Sequence, residues 1–451
     1  MTRSRLPRQR LADSVALMTP TPNGAAQPAP QSATTPKPTP KQQPTLTTYR
    51  VLVIGGGNAG LSVAGRLQRA GVDDITVVEP RENHVYQPLL SHVAGGTAKA
   101  SQAARPQADV MPDGVTLIRD VVASVDPETS SLVLASGRSI GYEHLVVCPG
   151  VVQDWDAIPG LQAALDTPNV ASSYEISLAH KTSRMLRELR QGTAVFVQAP
   201  EPASFGGAIQ KPMYLACDYW RSRDVLDRIR VVLVLPDATP LGVPAIDREL
   251  ERKITEYGIE VRREAQLTEV LGDAKTAVIE TAGEHRERIP YDALIVEPPQ
   301  RAPEWIAEAG LAGAELAYPT PEMRSERGFV DVDTHTMRHH RFPNVWSLGD
   351  AAVSRSQRSG GALRKQTKAL AENLVSVLRE QAPESDYDGY TVAPFTVSRS
   401  SVVFGEFDDT LKQRPSIPFW KGLARERRLT WVFDRHVLPW VYWNLILKGR
   451  A

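Results

Sequence analysis

VLVIGGGNAGLSVAGRLQRAGVDDITVVE, residues 51–79, is the stretch that decides the fold. Its apolar start is typical of a buried parallel strand, and Gly55, Gly57 and Gly60 then form the pattern G-x-G-x-x-G ahead of a helix-forming segment. The first glycine permits a tight turn, the second lets the backbone approach a pyrophosphate, and the third lets helix and strand pack closely. A second strand ends at Glu79, whose carboxylate suits a ribose hydroxyl, so the stretch predicts a dinucleotide site.

Composition limits the classes of function. Among 451 residues, 52 Lys and Arg balance 52 Asp and Glu, so the net charge gives no reason to expect a nucleic-acid partner. Two cysteines, Cys148 and Cys217, exclude a disulfide framework and a Cys-rich metal site, and we expect Cys148 to be a small buried residue. No run of 18 or more apolar residues predicts a membrane-spanning helix.

Residues 1–47 differ from the rest of the chain. They hold nine of the 35 prolines, four arginines within the first ten residues, and Asp13 as their one acid. Such a segment buries too little apolar surface to offset its ordering entropy. Three interpretations stay open: a targeting segment, a basic disordered tail, and translation from an upstream start codon ahead of a true start at Met18.

The remaining chain predicts an α/β fold of two Rossmann-like dinucleotide-binding domains and a C-terminal amphipathic helical region. The first domain takes residues 48–150 and 328–390, with three short strands before residue 144 forming an antiparallel insert. The second domain, residues 151–327, has strands near 194–198, 230–235, 259–263 and 291–299 and helices near 210–220 and 247–257. The turn of the second domain, APEPASFGGA at 199–208, lacks G-x-G-x-x-G, which argues against NAD(P)H as electron donor.

Residues 391–451 form the C-terminal region, which holds half of the eight tryptophans behind a basic segment at 421–428. Pro439 is predicted to divide the apolar stretch into two helices, each about 15 Å long, and neither can cross a hydrocarbon core of about 30 Å. Aromatic-rich, basic-flanked segments of this kind lie in the membrane interface, so we expect residues 420–448 to bind a membrane surface. A helix pair packed on the body, or a dimer contact, is the alternative.

Four segments resemble the sulfide:quinone oxidoreductases of mitochondria and related bacteria, a branch of the flavoprotein disulfide reductases. They are VLVIGGGNAGLSVAGRL, VVEPRENHVYQPLL, FVDVDTHTMRHHRFPNVWSLGD and EFDDTLKQRP…LPWVYWNLILKGR, and the similarity covers about residues 49–449. The resemblance implies FAD in the first domain, with the pyrophosphate on Gly55, Gly57, Asn58, Ala59 and Gly60, the ribose on Glu79, further contacts at Gln87 and Val122, and the ribityl chain on Gly349 and Asp350. Arg358 matches a family lysine near the isoalloxazine.

The resemblance fails at the redox cysteines. Family members oxidise sulfide with a cysteine pair beside the flavin, because a thiolate is the nucleophile that forms the persulfide. The matching positions here are Phe205 and Ala351. Cys217 lies about three helical turns beyond Phe205, and Cys148 belongs to another loop, so we do not expect these two to replace the pair. No intact catalytic residue is therefore predicted.

Three functions are consistent with the sequence. The first is an FAD-dependent oxidoreductase that passes electrons from a small donor to quinone, with sulfide doubtful as that donor. The second is an activity like that of type II NADH:quinone oxidoreductases, and the third is a flavoprotein fold kept for binding after its redox centre was lost. The expected location is peripheral, on the cytoplasmic face of a bacterial membrane or, alternatively, on the mitochondrial inner membrane, and a homodimer is a further expectation.

Overall fold

The computed structural model describes residues 46–283, 285–313, 328–415 and 424–451. Nearly all of the 1–47 segment lies outside these ranges, as do residues 420–423 of the predicted membrane segment. Predictions for those residues therefore have no structural counterpart here.

A mainly parallel sheet carries the glycine turn. Its central strand, Thr47–Ile54, pairs in parallel with Ile75–Val78 on one side and with Ser139–Val147 on the other, and Val345–Ser347 adds a further parallel strand beyond Ser139–Val147. Residues 51–54 and 75–78 are fully buried, as expected for strands covered on both faces. The chain thus returns to this sheet after it has passed through the second domain.

One expected strand of the insert lies elsewhere. Thr116–Ile118 pairs in parallel with Ile75–Val78 at the edge of the sheet, so it belongs to the parallel core and not to an antiparallel insert. The antiparallel part consists of Val122–Asp126 and Ser131–Leu134, which pair with each other, and Ser131–Leu134 also pairs with the start of Ser139–Val147. Short strands with similar apolar content do not reveal their direction before their partners are known.

The second sheet is parallel throughout, in the spatial order Val170–Ala171, Ala293–Val296, Gly192–Val197, Ile229–Val234 and Glu260–Arg262. Its helices are Ile176–Glu188, Gln210–Arg221 and Pro244–Tyr257, and an antiparallel sheet of Ala265–Leu271, Thr276–Thr281 and His285–Pro290 is attached. The helices of the first domain include Asn58–Arg69, Leu90–Ala94 and Gly360–Leu378. Shorter strands are Asn83–Val85 with Ala104–Pro106, and Val152–Gln153 with Gln300–Arg301; the shorter helices are Ala100–Ala103, Gln107–Val110, Leu161–Ala164 and Glu304–Glu308.

The C-terminal region differs from its prediction in two ways. It is not helical throughout, because Thr391–Ser398 and Ser401–Phe407 form an antiparallel hairpin. It also does not break at Pro439: helical structure runs from Arg428 to Ile446, with π-helical turns at Phe433–Val437 and Tyr442–Ile446. A π-turn just before the proline shifts the hydrogen-bond register, which removes the clash that a proline makes with the carbonyl four residues earlier. Within the described residues, the helices are too short or too polar to cross a membrane.

Candidate active site

The three glycines of the first turn have separate tasks. A Cβ on Gly55, whose φ is +98°, would lie 2.3 Å from the carbonyl oxygen of Cys148, and a Cβ on Gly60 would lie 1.9 Å from that of Gly55. Both glycines are therefore required by contacts within the chain. A Cβ on Gly57 would meet no described atom within 4 Å, and Gly57 lines a cavity. The fold leaves this one position open for a ligand to approach the backbone.

A hydrogen-bonded chain holds the glycine turn from behind. The buried carboxylate of Glu79 accepts the Gly56 N–H at 2.8 Å, and the Gly56 carbonyl faces Nδ1 of His84 at 3.0 Å. Nε2 of His84 lies 2.5 Å from the hydroxyl of Tyr442 in the C-terminal helical stretch. Burial lowers the pKa of His84 to about 4, so the ring is neutral at physiological pH, donates to Gly56 and accepts from Tyr442.

Glu79 is also engaged by Arg81. The Arg81 backbone N–H and Nε donate to the Glu79 carboxylate at 2.9 Å, and these contacts with the Gly56 bond hold the pKa of the carboxyl below its usual range against burial. With the Arg81 Nη2 contact at 3.2 Å, the carboxylate already accepts four hydrogen bonds, which is about its capacity, so a ribose hydroxyl would have to displace one of them.

A cavity of about 890 Å³ extends from the glycine turn to the C-terminal helical stretch. Its wall includes, from the predicted site residues, Gly57, Asn58, Ala59, Gln87, Phe205, Gly349, Asp350 and Arg358. The other predicted site residues stand outside that wall: Gly55, Gly60, Glu79, Val122 and Ala351. Val122 is buried in the core of the first domain, and its expected backbone contact with an adenine ring stays a prediction.

Phe205 and Ala351, the positions that the resemblance matches to cysteines, each come directly after a residue of one hydrogen bond. The Ser204 hydroxyl donates to the Asp350 carboxylate, so Phe205 and Ala351 each come one residue after a member of this contact. Phe205 has a left-handed φ of +76°, and its ring packs 5.4 Å from that of Phe395. Ala351 is fully buried. One of the two positions therefore places an aromatic ring in the cavity wall, the other is a buried methyl group outside it, and neither offers a thiol.

The two cysteines of the chain are not a substitute pair. Cys148 lies in the core of the first domain and Cys217 in that of the second, and both are free thiols. Burial raises the pKa of each thiol far above its ordinary value, so neither is a thiolate near neutral pH. Cys148 reaches the cavity wall, but without a partner thiol it cannot form an intramolecular disulfide.

Arg358 supplies the fixed cation expected at the cavity wall. Its guanidinium donates to the Ala352 carbonyl at 3.0 Å and lies 4.6 Å from the centre of the Phe329 ring, and the residue is buried. A guanidinium held in this way keeps its charge and its orientation.

Several polar residues of the wall were missed by sequence reasoning. Burial raises the pKa of Glu297 to about 8, and the same cause lowers the pKa of Lys211, whose ammonium lies 4.3 Å from the centre of the Phe205 ring. Asp434 enters from the C-terminal helical stretch. Lys211 lies in the first turn of the helix Gln210–Arg221 and Glu297 directly follows the strand Ala293–Val296, and the sequence predicts no role for either. No local pattern marks Asp434.

In the turn of the second domain, the side chain of Glu201 lies against the backbone of the same turn. Between Gly192–Val197 and the following helix, the Glu201 carboxylate accepts the Ala203 N–H at 2.8 Å. A Cβ on Gly206 would lie 2.2 Å from Glu201 Oε1. A carboxylate thus lies against the backbone that a dinucleotide pyrophosphate would approach, and its charge would repel phosphate.

The C-terminal stretch forms the other end of the cavity with large apolar side chains. Leu429, Val432, Phe433 and Val437 line it and are also 64%, 46%, 43% and 39% exposed. Trp440 continues this exposed row at 57%. The same side chains therefore face the cavity opening and the exterior.

Comparisons with known proteins agree with this architecture. Residues 49–372 match the family model described as pyridine nucleotide-disulphide oxidoreductase. The mitochondrial sulfide:quinone oxidoreductase of Mus musculus is 31% identical over 89% of this chain and 87% of its own length. The type II NADH:quinone oxidoreductase Ndh of Mycobacterium tuberculosis is 25% identical over 81% of each chain. The X-ray structure of the sulfide:quinone oxidoreductase from Aquifex aeolicus has a TM-score of 0.74 at 18% identity and covers 89% of this chain and 92% of its own.

The chain belongs to the sulfide:quinone oxidoreductase family, within the pyridine nucleotide-disulphide oxidoreductases. The predicted family, the α/β fold class and the enzyme class of flavin-dependent oxidoreductase are confirmed. The proposed domain boundaries and the individual cofactor contacts stay predictions.

Proposed function

We propose that this family member binds FAD in the cavity and passes electrons to a quinone, from a donor other than sulfide. FAD, when bound, supplies reversible two-electron transfer between donor and acceptor. The observation that carries the proposal is the continuity of the cavity from the open glycine position to the exposed apolar residues of the C-terminal stretch. One end suits a dinucleotide, and the other suits an apolar acceptor that arrives from a membrane.

The residues of the first domain fit FAD. Two helix starts border the cavity, at Asn58–Arg69 and at Gly360–Leu378, and each presents backbone N–H groups with a positive dipole end. In this assignment Gly57, Asn58 and Ala59 hold the pyrophosphate and Asp350 holds the ribityl hydroxyls. Arg358 contributes the positive charge that favours an anionic reduced flavin.

The residues around Phe205 and Ala351 argue against sulfide as donor. Disulfide exchange requires a thiolate, and neither position provides one. The buried Cys148 thiol lacks both the ionisation and the partner that exchange requires. Glu201 at the second turn weighs in the same way against NADH, so the type II NADH:quinone oxidoreductase reading is the less favoured alternative.

The test is a flavin redox assay on the purified protein under anaerobic conditions. We expect a yellow protein that dithionite bleaches and decylubiquinone reoxidises, while neither sulfide nor NADH bleaches it. Bleaching by NADH alone would favour the type II alternative, and bleaching by sulfide would overturn the argument from the missing cysteines. A colourless protein that FAD does not reconstitute would leave a binding role without redox chemistry.

A glycine variant separates FAD binding from folding. Gly57→Ala adds a methyl group that meets no described protein atom, so the apoprotein should unfold at the wild-type temperature but retain little flavin. The control is Gly137→Ala, which also meets no described atom within 4 Å, lies outside the cavity wall, and has a φ of +82°, so it should cost about 1 kcal/mol of stability without removing flavin. Wild-type flavin content in Gly57→Ala would contradict the pyrophosphate assignment.

Membrane attachment at the C-terminal stretch follows from the same observation. The exposed row of Leu429, Phe433 and Trp440 suits the interface of a bilayer, in keeping with the proposed peripheral location. We place the protein on the cytoplasmic face of a bacterial membrane, with the mitochondrial inner membrane as the alternative. Phe433→Asp with Trp440→Asp should abolish sedimentation with liposomes, and equal sedimentation of wild type and variant would refute the attachment. A homodimer remains to be tested by light scattering in detergent.

A further inference from the structure

A buried histidine stands directly behind the acid of the cavity wall. Asp434 lies in the π-helical turn Phe433–Val437 and lines the cavity, and its side chain is 11% exposed. Nε2 of His92, in the helix Leu90–Ala94, lies 3.2 Å from Asp434 Oδ2, and the His92 side chain is 4% exposed. The acid thus faces the cavity while the ring faces the protein interior.

The geometry requires a proton between these two groups. On the other side of the ring, His92 Nδ1 is 2.9 Å from the Thr97 hydroxyl. If Thr97 donates to Nδ1, then Nε2 carries the hydrogen and donates to Asp434. If Thr97 instead donates to the His92 carbonyl, 3.3 Å away, then Nδ1 is the donor and a second proton must lie between Nε2 and Oδ2. The second arrangement holds a proton that the pair can give up next to the cavity, whereas the N–H of the neutral imidazole in the first arrangement is far too weak an acid to do so.

Thr97 connects this pair with the surface. Thr97 is half-buried and lies two residues before the exposed Lys99. The contacts from Thr97 to His92 and from His92 to Asp434 therefore lead from the surface to the cavity wall. Arg435 fixes the geometry, because its guanidinium donates to the Thr97 carbonyl at 3.2 Å and to Gln102 at 2.9 Å. The π-turn that carries Asp434 is thereby held to the loop that carries Thr97.

Other charged and titratable groups face Asp434 from each neighbouring element. Lys211 of the helix Gln210–Arg221 and Arg435 interact favourably with its carboxylate, and Tyr86 is a buried phenol close by. Thr396, on the hairpin, lies 3.4 Å from both Asp434 Oδ2 and His92 Nε2. These groups complete the surroundings of the pair.

We propose that Asp434 and His92 deliver a proton to the quinone during its reduction, an inference that rests on the proposed function. A quinone that takes up two electrons from the reduced cofactor needs two protons to become a quinol. The pair gives one: its shared O–H or N–H bond breaks and a new O–H bond forms on the quinone oxygen nearest Asp434. Water at Thr97 reprotonates the pair, and the second proton comes from solvent.

The experiment measures the acceptor reaction alone, so that the identity of the donor does not matter. Protein with bound flavin is reduced anaerobically with one equivalent of dithionite and mixed with decylubiquinone in a stopped-flow instrument. At saturating quinone we expect Asp434→Asn to reoxidise about 100-fold more slowly than wild type, the usual contribution of a general acid. His92→Gln should fall by a similar factor, Asp434→Glu should recover part of the rate, and the control His436→Gln, an exposed histidine two residues away, should match wild type.

Two further readouts exclude a merely structural role. Quenching of tryptophan fluorescence by a non-reducible quinone analogue should give Kd values within about threefold for wild type and Asp434→Asn. Without an internal donor, the rate of Asp434→Asn should fall about tenfold for each unit of pH increase, while the wild-type rate changes little between about pH 6 and 8.

The outcomes separate this inference from the function on which it rests. If wild type reduces decylubiquinone and Asp434→Asn does so at the same rate and with the same pH dependence, the proton pair is refuted and the function stands. If Asp434→Asn slows only because its Kd rises, the pair is refuted as well. A wild-type protein with flavin that does not reduce decylubiquinone overturns both.

Discussion

Replacing Glu297 by glutamine should remove a large part of the pH dependence of stability between acidic and mildly alkaline pH. Glu297 is 5% exposed, and burial raises its pKa from an ordinary 4.5 to about 8 in spite of the Ser173 hydroxyl at 3.3 Å. The folded state therefore binds this proton more tightly than the unfolded state does. The contribution to stability is complete below about pH 4.5 and is lost progressively as the pH rises to about 8.

The magnitude follows from the same two pKa values. At about 1.36 kcal/mol for each pKa unit, the rise from 4.5 to about 8 corresponds to roughly 5 kcal/mol, and water entering the cavity reduces this value. Glutamine has nearly the same shape, still accepts from Ser173 and does not ionise. We expect Glu297→Gln to equal wild type near pH 4.5 and to exceed it by several kcal/mol near pH 8.5.

The assay is guanidinium unfolding of wild type and Glu297→Gln from about pH 5 to 9, followed by tryptophan fluorescence at matched flavin content. Glu308→Gln, a change at an exposed position of the helix Glu304–Glu308, is the control and should follow the wild-type curve. Parallel curves for wild type and Glu297→Gln would refute the assignment of a buried, protonated carboxyl to this cavity wall.

Two further predictions concern the missing cysteines and the C-terminal stretch. In the double variant Phe205→Cys with Ala351→Cys, sulfide should bleach the flavin, and in neither single variant should it do so. If sulfide does not bleach the double variant, then differences besides the two thiols distinguish this chain from its sulfide-oxidising relatives. Gly65→Ala should lower the free energy of unfolding by about 1–3 kcal/mol and expose the C-terminal stretch to proteases, because the new Cβ would lie 2.7 Å from the backbone of Lys448. Gly272→Ala, with no contact closer than 3.6 Å, is the control, and equal protease sensitivity of the two variants would contradict the tight packing.

The glycine turn could be predicted from sequence because its determinants are local. Each of Gly55, Gly57 and Gly60 acts on backbone within a few residues or on a strand end whose position the apolar pattern marks. The hairpin at 391–407 could not be predicted in the same way. Ser401–Phe407 is buried at every residue, so it lacks the alternation that marks a strand, and Pro394 in the other strand argues against regular pairing.

The candidate site depends on contacts between distant parts of the chain. Asp434 gains its significance only from His92, and neither residue has a neighbour in sequence that marks a proton-transfer role. Pro439 was predicted to end a helix because the pattern alone does not show the preceding π-turn. The resemblance to a family supplied the cofactor positions, and the departures at Phe205 and Ala351 were visible from sequence because they are single-residue comparisons.

The bond between His84 and Tyr442 sets an order of events during synthesis. The two residues are separated by 358 positions, yet their contact supports the carbonyl of Gly56 in the cofactor turn. While the ribosome is still making the second domain, the strands Thr47–Ile54, Ile75–Val78 and Ser139–Val147 can pair, but Val345–Ser347 and the contact with Tyr442 are missing. Gln107 also donates to the Gly56 carbonyl at 2.9 Å, so the C-terminal stretch adds to an existing support when it emerges and folds back, and the same step presents its exposed apolar side chains. An incomplete chain would lack both the contact between His84 and Tyr442 and the exposed apolar side chains of the C-terminal stretch.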